Sequence, residues 1–163
     1  MTRKLIMLIG WIMYQLERCK RSYVTNMKDA SFKGSGKIGH NVELAYPSNI
    51  TIGENSYING GSIYASENAK ITIGKNCLIS YDVHLRTDTH AYSEKKTLIN
   101  KQGSIEKDII IEDDCWIGFG AQIMGGITVG RGAVIGAGAV LTKDAAPYGV
   151  YVGVPARQVK ERT

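Results

Sequence analysis

From Ile111 onward an aliphatic residue returns at every sixth position: Ile111, Ile117, Ile123, Val129, Ile135 and Leu141. The residue that follows is mostly small or acidic (Glu112, Gly118, Met124, Gly130, Gly136, Thr142), and the fourth after it is usually small (Cys115, Ala121, Ile127, Ala133, Ala139). The same phrase occurs earlier, from Ile73-Gly74 through Ile79 and Leu85, from Ile52-Gly53 through Ile58, and from Ile38-Gly39 through Leu44. A six-residue period matches neither a helix, at about 3.6, nor a coiled coil, at about 3.5, and each glycine would cost a helix about 1 kcal/mol. A short strand followed by a tight turn does match. The aliphatic side chain points inward, the small residue fills the corner, and Gly or Asn takes the turn. Three such hexads close one triangular coil, so that Ile111 stacks on Val129, Ile117 on Ile135 and Ile123 on Leu141, with about 4.8 Å between coils. The pattern predicts an all-β solenoid, a parallel β-helix with an aliphatic column as its core. Cys77 and Cys115 fall at the small inward position and are expected to be buried filler.

Composition narrows the picture without redirecting it. A chain of 163 residues suits one domain able to bury a continuous core. With 19 glycines, 3 prolines and 44% hydrophobic residues it is neither collagen-like nor disordered. Three cysteines without C-x-x-C spacing indicate neither a disulfide framework nor a zinc site, and a reducing, cytoplasmic setting fits them. The net charge of +5 favours an anionic ligand but is also what solvated lysines give, and no nucleic-acid motif accompanies it. Ahead of the repeats, Leu5 to Tyr14 is an apolar run broken only by Gly10, flanked by Arg3 and Lys4 and by Arg18, Lys20 and Arg21. It falls short of the roughly 20 residues of a spanning helix and has no small-residue cleavage site after it. A short N-terminal helix is expected. It packs either on protein or, by its basic flanks, peripherally on an inner membrane surface.

The period fails once. After Leu85 the next hexad is due at 91, yet the phrase resumes only at Ile111, so a polar loop over 91–108, with Lys95, Lys96, Lys101 and Lys107, is extruded from the wall. Loops of this kind on a rigid scaffold commonly carry function. His90 is the last residue before it, which places a neutral imidazole at a coil corner beside a cleft. The organisation expected is an N-terminal helix over 1–23, the β-helix over 24–154 with the loop 91–108 extruded, and a tail over 155–163. His40 and His84 read as ordinary turn residues.

Three stretches carry a family resemblance: the Ile-Gly phrases over residues 36 to 154, the string Arg86-Thr87-Asp88-Thr89-His90 followed by Asp114-Cys115-Trp116-Ile117-Gly118, and the ending Gly153-Val154-Pro155-Ala156-Arg157. The chain resembles the hexapeptide-repeat acyltransferases, in particular their galactoside and maltose O-acetyltransferase branch. The resemblance implies a left-handed coil, a homotrimer with sites between neighbouring prisms, and acetyl-CoA as the donor, with no metal required. It implies that His90 takes the proton from an acceptor hydroxyl, a task worth about 10²–10⁴-fold to a general base. It further implies that Trp116 lies by the thioester arm and that Ala137, Thr142, Lys143 and Arg157 contact CoA; beside this, the bare backbone at Gly118 suits the amide groups of the arm, and an amide near it is a candidate for steadying the oxyanion. The acceptor, a sugar or polysaccharide unit, falls by the same resemblance to Asn59 and Asp88. Phe119 departs from the small polar residue usual in the branch, and past Asn59 the register slips by one. Two other readings stay open: a zinc protein like the γ-class carbonic anhydrases, disfavoured because His84 and His90 are six apart where that family has five, and a β-helix that only assembles.

Overall fold

Each inward aliphatic residue ends a short strand, and the strands stack into three parallel ladders that form the faces of the coil. The first face holds Ile50–Ile52, Ile71–Ile73, Ile109–Ile111 and Thr128–Val129, with Ala145 bridged to Val129 beyond them. The second holds the start of Tyr57–Tyr64, then Leu78–Ile79, Trp116–Ile117, Val134–Ile135 and Gly149–Val152. The third holds the end of Tyr57–Tyr64, then Val83–Arg86, Gln122–Met124 and Val140–Leu141. Lys37–Ala45 runs parallel to Tyr57–Tyr64 below the second and third faces. The stacked pairs expected from the repeat, Ile111 on Val129, Ile117 on Ile135 and Ile123 on Leu141, are the observed register.

This computed structural model describes residues 4–16 and 36–163. The chain divides into two units, Met1–Ser31 and Phe32–Thr163. In the first unit, residues 4–16 form helix α1; the remaining residues of the segment 1–23, and residues 24–35, lie outside the described set. No helix among the described residues is long and apolar enough to cross a membrane.

The turns follow a rule. The third residue after the inward aliphatic one adopts a left-handed conformation, so Asn55, Asn76, Asp82 and Asp114 have φ between 54° and 60°, where Asn and Asp are better tolerated than other side chains. Later coils put glycine there, at Gly120, Gly126, Gly132 and Gly138. The next residue points inward again: Ser56, Cys77, Cys115, Ala121, Ala133 and Ala139 are all buried. Ser56 is satisfied there, donating to the Gly74 carbonyl at 2.6 Å and accepting from the Cys77 amide at 2.9 Å. Cys77 Sγ donates to the Glu112 carbonyl and Cys115 Sγ to that of Gly130. The contact with Cys77, reinforced by burial, pushes the Cys115 thiol far above its ordinary range, which suits filler and not a nucleophile.

The first coils are irregular. Ile79 and Leu85 stack on Ile58 and Ile63, so the lower phrase is one residue short. Gly61 absorbs the slip with φ +121°, and a Cβ there would lie 2.1 Å from the Val83 carbonyl oxygen. Only glycine fits.

Because each coil touches only its neighbours, a cavity inside the column is not compensated elsewhere. Ile117 is fully buried between Ile79 and Ile135. Ile117→Ala is expected to cost about 2–5 kcal/mol, read as a lower denaturant midpoint with an unchanged slope; a loss under about 1 kcal/mol would mean that the column repacks around the gap.

Candidate active site

The extruded segment is a hairpin with its own hydrogen bonds. Asp88–His90 pairs antiparallel with Ser104–Glu106, matching Asp88 to Glu106, Thr89 to Ile105 and His90 to Ser104. The excursion expected over 91–108 therefore leaves the wall after Thr87 and returns at Lys107, whose amide donates to the Thr87 carbonyl at 2.9 Å. The hexad count cannot see this shift, because antiparallel pairing between the two stems consumes residues that the period assigns to the wall. His90 accordingly stands on the arm and not at a coil corner.

The base of the arm is pinned. Thr87 is buried and donates to Ser66 Oγ at 2.9 Å. The Asn68 amide donates to Glu106 Oε2 at 2.7 Å, and the Lys70 amide to Asp108 Oδ1 at 2.8 Å. The Asn68 amide, with the Ser66 hydroxyl, holds the Glu106 carboxyl below the usual range. The tip is tied by Gln102, which donates to the Glu94 and Thr97 carbonyls and accepts from the Glu94 amide.

Between the arm and the third face lies a cleft of about 680 Å³ lined by His84, Arg86, Asp88, His90, Lys107, Gln122 and Met124, among others. Asp88 Oδ1 accepts from Arg86 Nε at 3.0 Å, and the Arg86 guanidinium also lies over the Tyr64 ring. Asp88 thus has its carboxylate oriented at the mouth of the cleft, two residues from His90. His84 is not a turn residue as expected. The turn is taken by Asp82, so Val83 and Leu85 face inward and His84, between them, faces out into the same cleft as His90. The repeat does not single out Arg86, Lys107, Gln122 or Met124 either; strand alternation after Asp82 is the signal that places Arg86 and His84 together, whereas Lys107 needs the hairpin. His40 lies in Lys37–Ala45, but its side chain is outside the described residues. Among the described residues, no three His, Cys, Asp or Glu side chains gather as metal ligands would.

The candidate donor residues lie on both sides of this face. Thr142 and Lys143 are exposed in the coil above Met124 and Gly125, continuing the cleft upward. Gly118 and Ala137 sit at the corner between the second and third faces. A Cβ on Gly118 would come within 2.7 Å of the Ala137 amide nitrogen, so the coils close up only because it has none. Ala137 is exposed, and its amide donates to no group among the described residues. Open space surrounds Gly120 and Gly138, leaving bare backbone able to receive the amide groups of a pantetheine arm. Trp116 is half exposed on the second face, between Leu78 and Val134. It lines a separate groove of about 570 Å³ whose far wall is the C-terminal segment with Lys160 and Arg162. The tail expected over 155–163 is a strand, Arg157–Glu161, antiparallel to Gly149–Val152. Ahead of it, the Ala156 amide caps the Val140 carbonyl, bringing exposed Arg157 to the end of the third face. Asn59, half buried, follows Ile58 as Gly118 follows Ile117, and so shares the corner of Gly118 and not the cleft of His90.

This geometry has known counterparts. The model of the bacterial transferase hexapeptide family, six repeats, matches residues 108–143. A maltose O-acetyltransferase from Clostridium difficile 630 is 32% identical over 85% of this chain and 74% of its own, with a TM-score of 0.73. The chain belongs to the hexapeptide-repeat acyltransferases. The coil is therefore the left-handed parallel β-helix of that family. A galactoside acetyltransferase solved with coenzyme A is likewise 32% identical, over 84% of this chain and 68% of its own, at a TM-score of 0.70. A hexapeptide-repeat acetyltransferase from Vibrio cholerae O1 biovar eltor, complexed with acetyl coenzyme A, is 26% identical over 87% and 78%, at 0.75. No curated protein sequence matches the chain.

Proposed function

We propose that this acyltransferase moves an acetyl group from acetyl-CoA to a hydroxyl of a sugar or polysaccharide unit, with His90 as general base. What carries the reading is the position of His90: an imidazole on a pinned arm, over an open cleft, in a fold shared with two sugar acetyltransferases. His90 takes the hydroxyl proton as the acceptor oxygen bonds to the acetyl carbonyl carbon. The carbon–sulfur bond then breaks, and the proton passes to the departing thiolate, so atoms and charge balance. A neutral alcohol attacks a thioester poorly, and a base poised near neutral pH removes that obstacle.

The donor-binding set is Trp116, Gly118, Ala137, Thr142, Lys143 and Arg157, with the two cations suited to CoA phosphates. Asn59 and Asp88 are the acceptor contacts. Within one chain most of these residues occupy the two edges of the third face, and Trp116 lies on the second. A homotrimer, in which the arm of one copy reaches the corner of the next, reunites them. The exposed Leu98 and Ile99 near the tip of the arm fit such a contact.

The test is an acceptor screen. Purified protein with acetyl-CoA and a panel of sugars and polysaccharide fragments is expected to release free CoA and to add one acetyl mass to a hydroxyl-bearing acceptor. Acetyl-CoA binding with acetylation only of amines would overturn the hydroxyl assignment, and no acetyl-CoA binding at all would favour a β-helix that merely assembles.

A further inference from the structure

Helix α1, residues 4–16, is unlike a helix that belongs to a water-soluble surface. Leu5, Ile6, Met7, Leu8, Ile9, Trp11, Ile12, Met13, Tyr14 and Leu16 are all exposed, from 42% for Ile9 to 68% for Met7. At about 100° per residue, Leu5, Ile6, Ile9, Ile12, Met13 and Leu16 share one aliphatic side. The rest of the circumference holds Lys4, Trp11, Gln15 and Tyr14, with Met7 and Leu8 among them. A broad aliphatic side, with the lysine, the glutamine and both aromatic rings gathered on the rest of the helix, is the arrangement that a water–lipid boundary favours. In sequence the apolar stretch closes at Leu16, before Glu17 and Arg18, short of the roughly 20 apolar residues that crossing the hydrocarbon takes. It is suited to lying within one leaflet.

Charge decides which kind of leaflet. In sequence, Arg3 and Lys4 precede the apolar run and Arg18, Lys20 and Arg21 follow it, against the single acid Glu17. We propose that α1 seats this protein on an anionic bilayer surface, its aliphatic side among the acyl chains and its basic flanks at the headgroups. Lys4 and Gln15 are the only charged or amide side chains within residues 4–16, so most of the helix surface is apolar and its charge is concentrated in the flanks. The consequence for function is a transferase held where membrane-borne glycan acceptors are exposed.

The experiment is vesicle flotation of the full chain, without acetyl-CoA, so that its result does not depend on the acyl-transfer reading. Vesicles of phosphatidylcholine alone are compared with vesicles that also contain phosphatidylglycerol. Binding is expected to the anionic vesicles, to weaken with added salt, and to fall at least about tenfold in the double variant Ile9→Asp, Ile12→Asp, since each aspartate removes a lipid-buried side chain. In a Trp116→Phe background Trp11 is the sole tryptophan of the two in the chain, and its emission is expected to shift to the blue on adding anionic vesicles. Recovery of the parent protein in the unbound fraction with both compositions overturns the proposal, as does a double variant that floats like the parent. A double variant that instead falls to a smaller oligomer, with no vesicle binding by either protein, also overturns it and assigns α1 to a second copy of the chain.

Discussion

His90→Ala is expected to lower kcat by about 10²–10⁴-fold, the span of a lost general base, while the KM for acetyl-CoA changes little. The split matters because His90 touches only the acceptor proton in this reading, whereas the donor residues lie along Thr142 and Lys143 and at the Gly118 corner. His84 is the internal control: it lines the same cleft but sits on the wall, not on the arm. His84→Ala is expected to cost less than about tenfold, well below the general-base range. A reversed order of effects would move the base from the arm to the wall, and equal activity in His90→Ala would remove His90 from the chemistry. The melting temperature should stay put in both variants, because both side chains are exposed and neither packs in the column.

Most of the β-helix is legible in the repeat alone. One local rule, an aliphatic residue in, a left-handed residue three positions later and an inward, usually small residue after that, is written at Ile52, Ile73 and Ile79 and in the run from Ile111 to Ile135. What the period cannot show lies where pairing is not local. The stem that sets Asp88 against Glu106 has no repeat to announce it, so the period starts the excursion three residues late and puts His90 at a corner. His84 misreads for a different reason: it closes a phrase in sequence, but the turn has already been taken at Asp82. The one-residue slip after Asn59 is visible in the sequence as five residues from Ile58 to Ile63, and Gly61 absorbs it. That Asn59 and His90 occupy different edges of one face is not, because a linear phrase carries no sense of which corner faces which side. Asn59 and Asp88 enter by family resemblance, and only the former's corner argues that two copies of the chain complete one site.

Excision of residues 88–107, joining Thr87 directly to Asp108, is expected to leave a folded β-helix that transfers no acetyl group. The arithmetic of the register carries this. Ile73 and Ile111 stack although they are 38 residues apart, whereas Ile111 and Val129 stack at 18; removing these 20 residues restores the spacing of 18 throughout that coil. The same holds for Ile79 with Ile117 and for Leu85 with Ile123. The joint is already made in space, since the Lys107 amide reaches the Thr87 carbonyl. Closing a loop of this length costs about 2–3 kcal/mol of chain entropy, against which the stem, its tip and the Glu106 contact to Asn68 must be set, so stability is expected to change by less than about 2 kcal/mol. Activity should fall at least as far as in His90→Ala, because Asp88, His90 and one wall of the cleft leave together. Calorimetry and far-ultraviolet circular dichroism read the first expectation and CoA release the second. An excised chain that unfolds would show that the arm supports the wall instead of being carried by it. One that folds and still turns over would place the chemistry outside the arm, most directly at the Trp116 groove.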